Sequence, residues 1–342
     1  MVKKRERIEL TAPPTSYFVG EKPNYSFISS GCALLDCVLG GGFPLGRVTN
    51  IVGDTSTSKT GHSTEALINF IRQYPDSMPA YRDTESAFDV EYSAAMGLNP
   101  KKVDFGDPEQ PVTTVEAFVR DFTKYLNDCI KTKSPGMYVI DSLDALSDEG
   151  ELERDVGEKT YGMAKAKLLS EFFRKTVSKI EQSKVLLLVI SQVRDNIGVM
   201  FGEKYKRAGG KALDFYASQC LWLAKVEVNR QTINKVKRPY SITIKAKAKK
   251  NKVGLPLREC EYDFRFGYGV EDAEASIKWL KEVGRSEEAC IAPSAVKDYI
   301  AGLGGMTLAE YDEERQKLRK AVKSVWGEIE TSFLPQRSKY GA

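Results

Sequence analysis

Apolar residues follow two rhythms along this chain. Short, largely apolar runs occur at 47–52, 137–140 and 185–190, and longer stretches between them repeat an apolar residue every three or four positions. The short runs are the mark of strands buried on both faces, and the longer spacing that of helices with one face on a core. Strands are therefore expected at 47–52, 80–85, 137–142 and 184–192, with two more around 221–224 and 241–248. Helices are expected at 62–73, 91–96, 113–131 and 161–182. A short helix within 28–42 would start from a Ser29 or Ser30 cap, turn Leu34, Leu35, Val38 and Leu39 inward, and stop at Gly40-Gly41-Gly42. In the 113–131 helix the core stripe is Val115, Phe118, Phe122, Leu126 and Ile130. Alternating strands and helices predict an α/β fold whose mostly parallel sheet is covered by helices.

After Gly269 the rhythm becomes helical throughout, with Leu308, Tyr311, Leu318, Val322, Val325 and Ile329 recurring at three or four. Residues 271–342 are expected to form a small, mainly helical C-terminal domain with a basic tail. Residues 1–28 are polar and hold Pro13, Pro14 and Pro23, which reads as an N-terminal arm, able to strap onto a neighbouring subunit. Residues 29–270 form the core between them.

The chemistry sits where strands end. The strand at 47–52 runs into Gly53-Asp54-Thr55-Ser56-Thr57-Ser58-Lys59-Thr60-Gly61, and a helix leaves it. Strand, tight loop, Lys-Thr and helix make a phosphate-binding loop, in which backbone N–H groups and a helix N-terminus face one anion. Lys59 adds a charge that follows the β- and γ-phosphates, and the Thr60 hydroxyl suits Mg²⁺. The loop departs from G-x-x-x-x-G-K-[ST] at Ser58, which replaces the second glycine. Three further strand ends carry Glu85, Asp141 and Gln192. Asp141 can support the metal, Glu85 can activate water, and the Gln192 amide can sense a γ-phosphate and move the loop after it.

Composition narrows the class. The 42% hydrophobic and 29% charged content is that of a globular chain, and a net charge of +4 over 342 residues neither requires nor excludes nucleic acid. No run approaches a membrane span, and no apolar h-region follows the basic N-terminus, so a cytoplasmic location is expected. Six scattered cysteines without a C-x-x-C pair, and His62 as the single histidine, argue against zinc and for small core thiols. Charge is local instead. Residues 230–254 hold nine Lys or Arg and no acid, with Lys245, Lys247 and Lys249 alternating onto one strand face as either a DNA stripe or a solvated surface. Residues 193–210 are Gly-rich and mix Arg194, Lys204, Lys206 and Arg207 with Ile197, Val199, Met200 and Phe201, a pattern suited to a stretched single strand.

These motifs together resemble the RecA-class recombinases and their bacteriophage relatives, over about Ser29 to Val270. The most specific part is Ser191-Gln192-Val193-Arg194-Asp195-Asn196-Ile197-Gly198-Val199-Met200-Phe201-Gly202, followed by Gly209-Gly210-Lys211-Ala212-Leu213-Asp214-Phe215. It is similar to the family's second DNA-binding loop, and 151–162 to its first. The resemblance implies a RecA-like P-loop ATPase core using ATP and Mg²⁺. In it Lys59 and Thr60 grip phosphate and metal, Glu85 activates water, Asp141 supports the metal, and Gln192 couples the γ-phosphate to DNA. Asp89 and Tyr92 would contact adenine. Tyr161, Arg194, Asn196, Ile197, Gly198, Val199, Met200, Gly209 and Gly210 would contact DNA. Lys250 and Lys252 would reach the ATP of the adjacent subunit, and Phe215 would touch that subunit. The implied partners are single-stranded DNA, homologous double-stranded DNA, further copies in a helical filament, and single-strand-binding and loader proteins.

The implied activity is DNA-dependent ATP hydrolysis coupled to strand exchange, in the cytoplasm of a host cell if the source is a bacteriophage. Ser58, Asp195 in the second loop and Tyr161 in the first mark a divergent member. Two alternatives stand beside it: an accessory DNA-binding paralogue with a degenerate phosphate loop, and a RecA-fold hexameric helicase.

Overall fold

The computed structural model describes residues 25–152, 163–195, 205–207, 211–335 and 337. In chain order the elements are β1 (Phe27–Ile28), α1 (Ala33–Leu39), β2 (Phe43–Pro44), β3 (Val48–Gly53), α2 (Lys59–Gln73), β4 (Ala80–Asp83) and α3 (Val90–Ala95). Then come α4 (Val115–Thr132), β5 (Gly136–Asp141), α5 (Glu149–Leu152), α6 (Met163–Ser183), β6 (Val185–Asp195), β7 (Tyr205–Arg207) and α7 (Lys211–Tyr216). Last are β8 (Gln219–Ile233), β9 (Val236–Asn251), β10 (Glu259–Arg265), β11 (Gly269–Val270), α8 (Asp272–Glu282), α9 (Val296–Leu303) and α10 (Leu308–Ser332).

One large sheet runs in the order β11-β10-β9-β8-β3-β6-β5-β4, with β7 paired to β6. From β4 through β5, β6 and β3 to β8 it is parallel, and β9, β10 and β11 extend it antiparallel. β5 is buried at every position, as is β6 from Val185 to Ser191, which is why both read as unbroken apolar runs. The expected short strands around 221–224 and 241–248 are the inner halves of a much longer ribbon. Residues 230–240 are exposed throughout, so no apolar alternation marks the outer half. Asn234 and Lys235, both at positive φ, close its two-residue turn.

Three local expectations need correction. α1 is not capped by Ser29 or Ser30. Its N-cap is Cys32, and the Ala33 N–H donates instead to Asp272 Oδ1 at 2.6 Å, while Ser29 and Ser30 both turn to Asp36. The stripe of α4 ends on Cys129 and not Ile130, which is 43% exposed, because a period of 3.6 rotates the position after Cys129 off the face. Leu308 is exposed as the first residue of α10, behind a Thr307–Glu310 capping box, and Leu318, Val322 and Val325 carry the burial.

α8 and α10 share their hydrophobic core with α1, α2 and the β9–β10 face of the sheet. A charged bolt crosses that junction: Arg319 reaches Asp36 at 2.5 Å and Asp272 at 3.1 Å, with both carboxylates almost fully buried. Removing one partner leaves buried charge uncompensated. Arg319→Ala is therefore expected to lower unfolding stability by about 3 kcal/mol, read from urea midpoints. Among the described residues, no helix is long and apolar enough to cross a membrane.

Candidate functional site

β3 delivers Gly53 to the crevice at the carboxyl ends of the parallel strands, where open α/β sheets bind ligands. A Cβ at Gly53 would stand 2.4 Å from Thr57 Oγ1, so only glycine lets the loop fold back this closely. Thr57 Oγ1 and Lys59 Nζ both donate to the Asp54 carbonyl at 2.8 Å, and the Thr55 N–H bonds the Asp54 carboxylate. Ser56 and Ser58 take left-handed backbone conformations, at φ 58° and 56°. Ser58 thus adopts the backbone that the missing glycine would supply, at a cost of about 1 kcal/mol. It is also the N-cap residue of α2, and its carbonyl accepts from the His62 backbone N–H at 2.9 Å. The buried His62 ring lies 2.6 Å from the same carbonyl and 2.6 Å from the Tyr262 hydroxyl. Burial lowers its pKa to about 4, keeping it neutral. Because the backbone already fits, Ser58→Gly is expected to change ATP affinity by less than about tenfold, as checked by nucleotide titration.

The strand ends beside the loop meet. Thr60 Oγ1 and Tyr81 OH both donate to Asp141 Oδ2 at 2.7 Å. Glu85 Oε1 accepts from Ser142 Oγ at 2.5 Å and from Gln192 Nε2 at 2.8 Å. Burial lowers the Lys59 pKa against the pull of Asp141 and Glu85, and raises that of Asp141 against its hydrogen bonds. A hydroxyl touching a largely buried carboxylate beside a lysine fits Mg²⁺, which takes few protein ligands and keeps its waters. Thr60 and Asp141 would hold it, and it would neutralise charge on the phosphates.

A cleft of about 430 Å³ opens from the loop. Ser56, Ser58 and Thr60 line its end nearest the loop, and Asp89 and Tyr92 another wall. Asp89 is the N-cap of α3, its carboxylate accepting the Tyr92 N–H at 2.8 Å. Lys225, Pro239 and Phe266 also line the cleft. None of these three was singled out from the sequence, because they come from the ribbon and from the turn after β10. A larger hollow of about 640 Å³, between β10 and α8, is remote from this chemistry.

Lys250 and Lys252 stand elsewhere. β8 runs level with β3, Thr49 opposite Gln219 and Gly53 opposite Leu223, and Lys250 pairs with Cys220. The Lys252 N–H bonds the Ser218 carbonyl. Both lysines therefore sit at the opposite end of the strands from the phosphate loop, about 10 Å away along the sheet for Lys250 and about 16 Å for Lys252. Lys250 Nζ donates to the Asp214 and Phe215 carbonyls, and Lys252 Nζ lies 3.5 Å from the latter. Phe215 beside them is 70% exposed. Burial and the nearby Lys252 charge lower the Lys250 pKa.

The lysine face of β9 is not an open stripe. Lys245 and Lys247 pair with Glu259 at 2.7 and 3.1 Å, and the Lys249 ammonium lies 3.5 Å from the Trp222 ring centre. Tyr161, Asn196, Ile197, Gly198, Val199, Met200, Gly209 and Gly210 lie outside the described residues, as do 1–24 of the N-terminal arm. The Arg194 backbone lies in β6, paired with Lys206 of β7.

A sequence model of the RecA N-terminal domain matches residues 19–271. The chain is 33% identical over 258 residues to Protein RecA of Arthrospira platensis, covering 75% of this chain and 66% of that protein. It is 34% identical over 257 residues to Protein RecA of Nostoc punctiforme, covering 75% and 67%. For Protein RecA of Synechococcus sp. strain CC9902 the identity is 32% over 257 residues, covering 75% and 64%. The chain thus spans about two thirds of the length of the relatives it matches.

Proposed function

We propose, since this chain belongs to the RecA family, that it is an ATP-dependent DNA recombinase. It would polymerise on single-stranded DNA with ATP between subunits, pair that strand with a homologous duplex and exchange strands. One observation carries the reading: the Gln192 amide donates to the Glu85 carboxylate, and its backbone continues along β6 towards residues 196–204. The group that would activate water is thereby joined to a segment that would touch DNA.

The chain's own residues supply the steps. Backbone N–H groups of the loop and α2 hold the phosphates, and Lys59 leaves the Asp54 carbonyl to follow the γ-phosphate. Glu85 orients water for in-line attack and takes its proton. Loss of the γ-phosphate then releases Gln192 and weakens the grip on DNA. Lys250 and Lys252, too far from their own loop, would complete the site of a neighbouring copy. The Ser58 backbone, already left-handed, weighs against an inactive accessory paralogue.

ATP turnover measured with and without single-stranded DNA tests the reading. DNA should stimulate turnover; normal DNA binding without stimulation would favour the accessory reading.

A further inference from the structure

The turn after β5 does more than connect. Residues 142–145 form one tight turn, closed by the Ala145 N–H on the Ser142 carbonyl and seated on the buried side chains of Leu143 and Leu146. Its first residue, Ser142, holds Glu85. Its third, Asp144, accepts the backbone N–H of Gln192 on Oδ2 at 2.9 Å. From outside, Lys165 donates to the Asp144 carbonyl at 3.0 Å and the Leu146 carbonyl at 2.5 Å. Lys165 lies in the first turn of α6, which begins directly after residues 153–162.

We propose that Asp144 and Lys165 are a positioning pair that ties the start of α6 to Gln192 and Glu85, so that DNA held before α6 sets the rate of ATP turnover. This rests on the recombinase reading above. These contacts form one connected chain from Lys165 to Glu85 and Gln192. A packed turn moves as a unit, because close packing leaves no slack for gradual deformation. A shift at the start of α6 pulls, through the Lys165 ammonium, on the carbonyl of Asp144 in the turn and on that of Leu146 just after it. The turn bears on Glu85 through Ser142 and on Gln192 through Asp144, the two residues already hydrogen-bonded to each other. Gln192 thus receives two inputs: along its own strand from residues 196–204, and through its backbone N–H from the α6 side.

The test uses the full chain, with ATP turnover read with and without saturating poly(dT) and poly(dT) affinity measured alongside. Lys165→Ala and Asp144→Ala should each reduce DNA stimulation about tenfold, the scale of a typical coupling free energy. DNA-free turnover and poly(dT) affinity of Lys165→Ala should stay within about twofold of the unsubstituted chain. Asp144→Asn, whose amide oxygen still accepts the Gln192 N–H, should keep most of the stimulation. The double variant should be no worse than the poorer single one. Full stimulation in Lys165→Ala overturns the proposal, and so does a loss of poly(dT) affinity in step with the loss of stimulation, which marks a plain structural staple. Lys165→Ala alters a half-exposed side chain, so it decides the matter even if Asp144→Ala fails to fold. Absence of stimulation in the unsubstituted chain would instead overturn the recombinase reading, and this pair with it.

Discussion

Lys59→Ala is expected to lower DNA-stimulated ATP turnover by about 10³-fold, the scale of losing one preorganised donor to a transferring phosphoryl group. Lys59 is the one cation of the loop, and it already converges with Thr57 on the Asp54 carbonyl. Desolvation lowers its pKa, but Asp141 and Glu85 oppose that shift and favour the charged form. Alanine removes that charge and leaves the loop backbone able to fold. The Thr60–Asp141 contact does not involve Lys59, so thermal stability should change little. Turnover assays with a melting curve of the same preparation check both parts.

The paired substitution Lys250→Ala with Lys252→Ala should also cost about 10³-fold in DNA-stimulated turnover, comparable to withdrawing a cation supplied in trans to a phosphoryl group. The reason differs. At the far end of the strands, these lysines cannot touch the phosphate loop of their own chain, so nucleotide binding by isolated subunits should be unchanged. Two like charges facing backbone carbonyls beside an exposed Phe215 form a cationic edge suited to an anion on another copy. If they served only as a DNA-binding edge, DNA affinity would fall while DNA-free turnover survived.

Much of this was legible in the chain because the relevant residues stand at ends of buried strands, where an apolar run gives way to polar groups. Glu85, Asp141 and Gln192 are of that kind, and Lys59 opens the helix after the loop that leaves such a strand. Ser58 was legible as a departure from the loop pattern, and its left-handed backbone explains how the departure is tolerated. Phe266, Lys225 and Pro239 were not legible, because Phe266 is an exposed turn residue and the ribbon is exposed at 224–227 and 230–240, leaving no periodic trace around Lys225 and Pro239. Asp144 was hidden for a related reason: it lies in a polar turn between two buried leucines, and only the three-dimensional path of β6 brings the Gln192 N–H to it. The Asp36–Arg319–Asp272 bolt spans the chain from α1 to α10, a distance over which sequence pattern carries no signal. The stripes of α4 and α10 were legible in their middles and failed at their ends, where one residue of rotation decides burial.

In the proposed filament the ATP site is shared between subunits, the phosphate loop coming from one and Lys250 with Lys252 from the next. Mixing two separately inactive preparations tests it most directly: Lys59→Ala, which keeps the trans lysines, and Lys250→Ala with Lys252→Ala, which keeps the loop. On single-stranded DNA, random co-assembly of equal amounts gives about one interface in four with both parts intact, so turnover should return to about that fraction of the unsubstituted level. A mixture as inactive as its components, under conditions where the two variants co-assemble on DNA, would contradict the shared site.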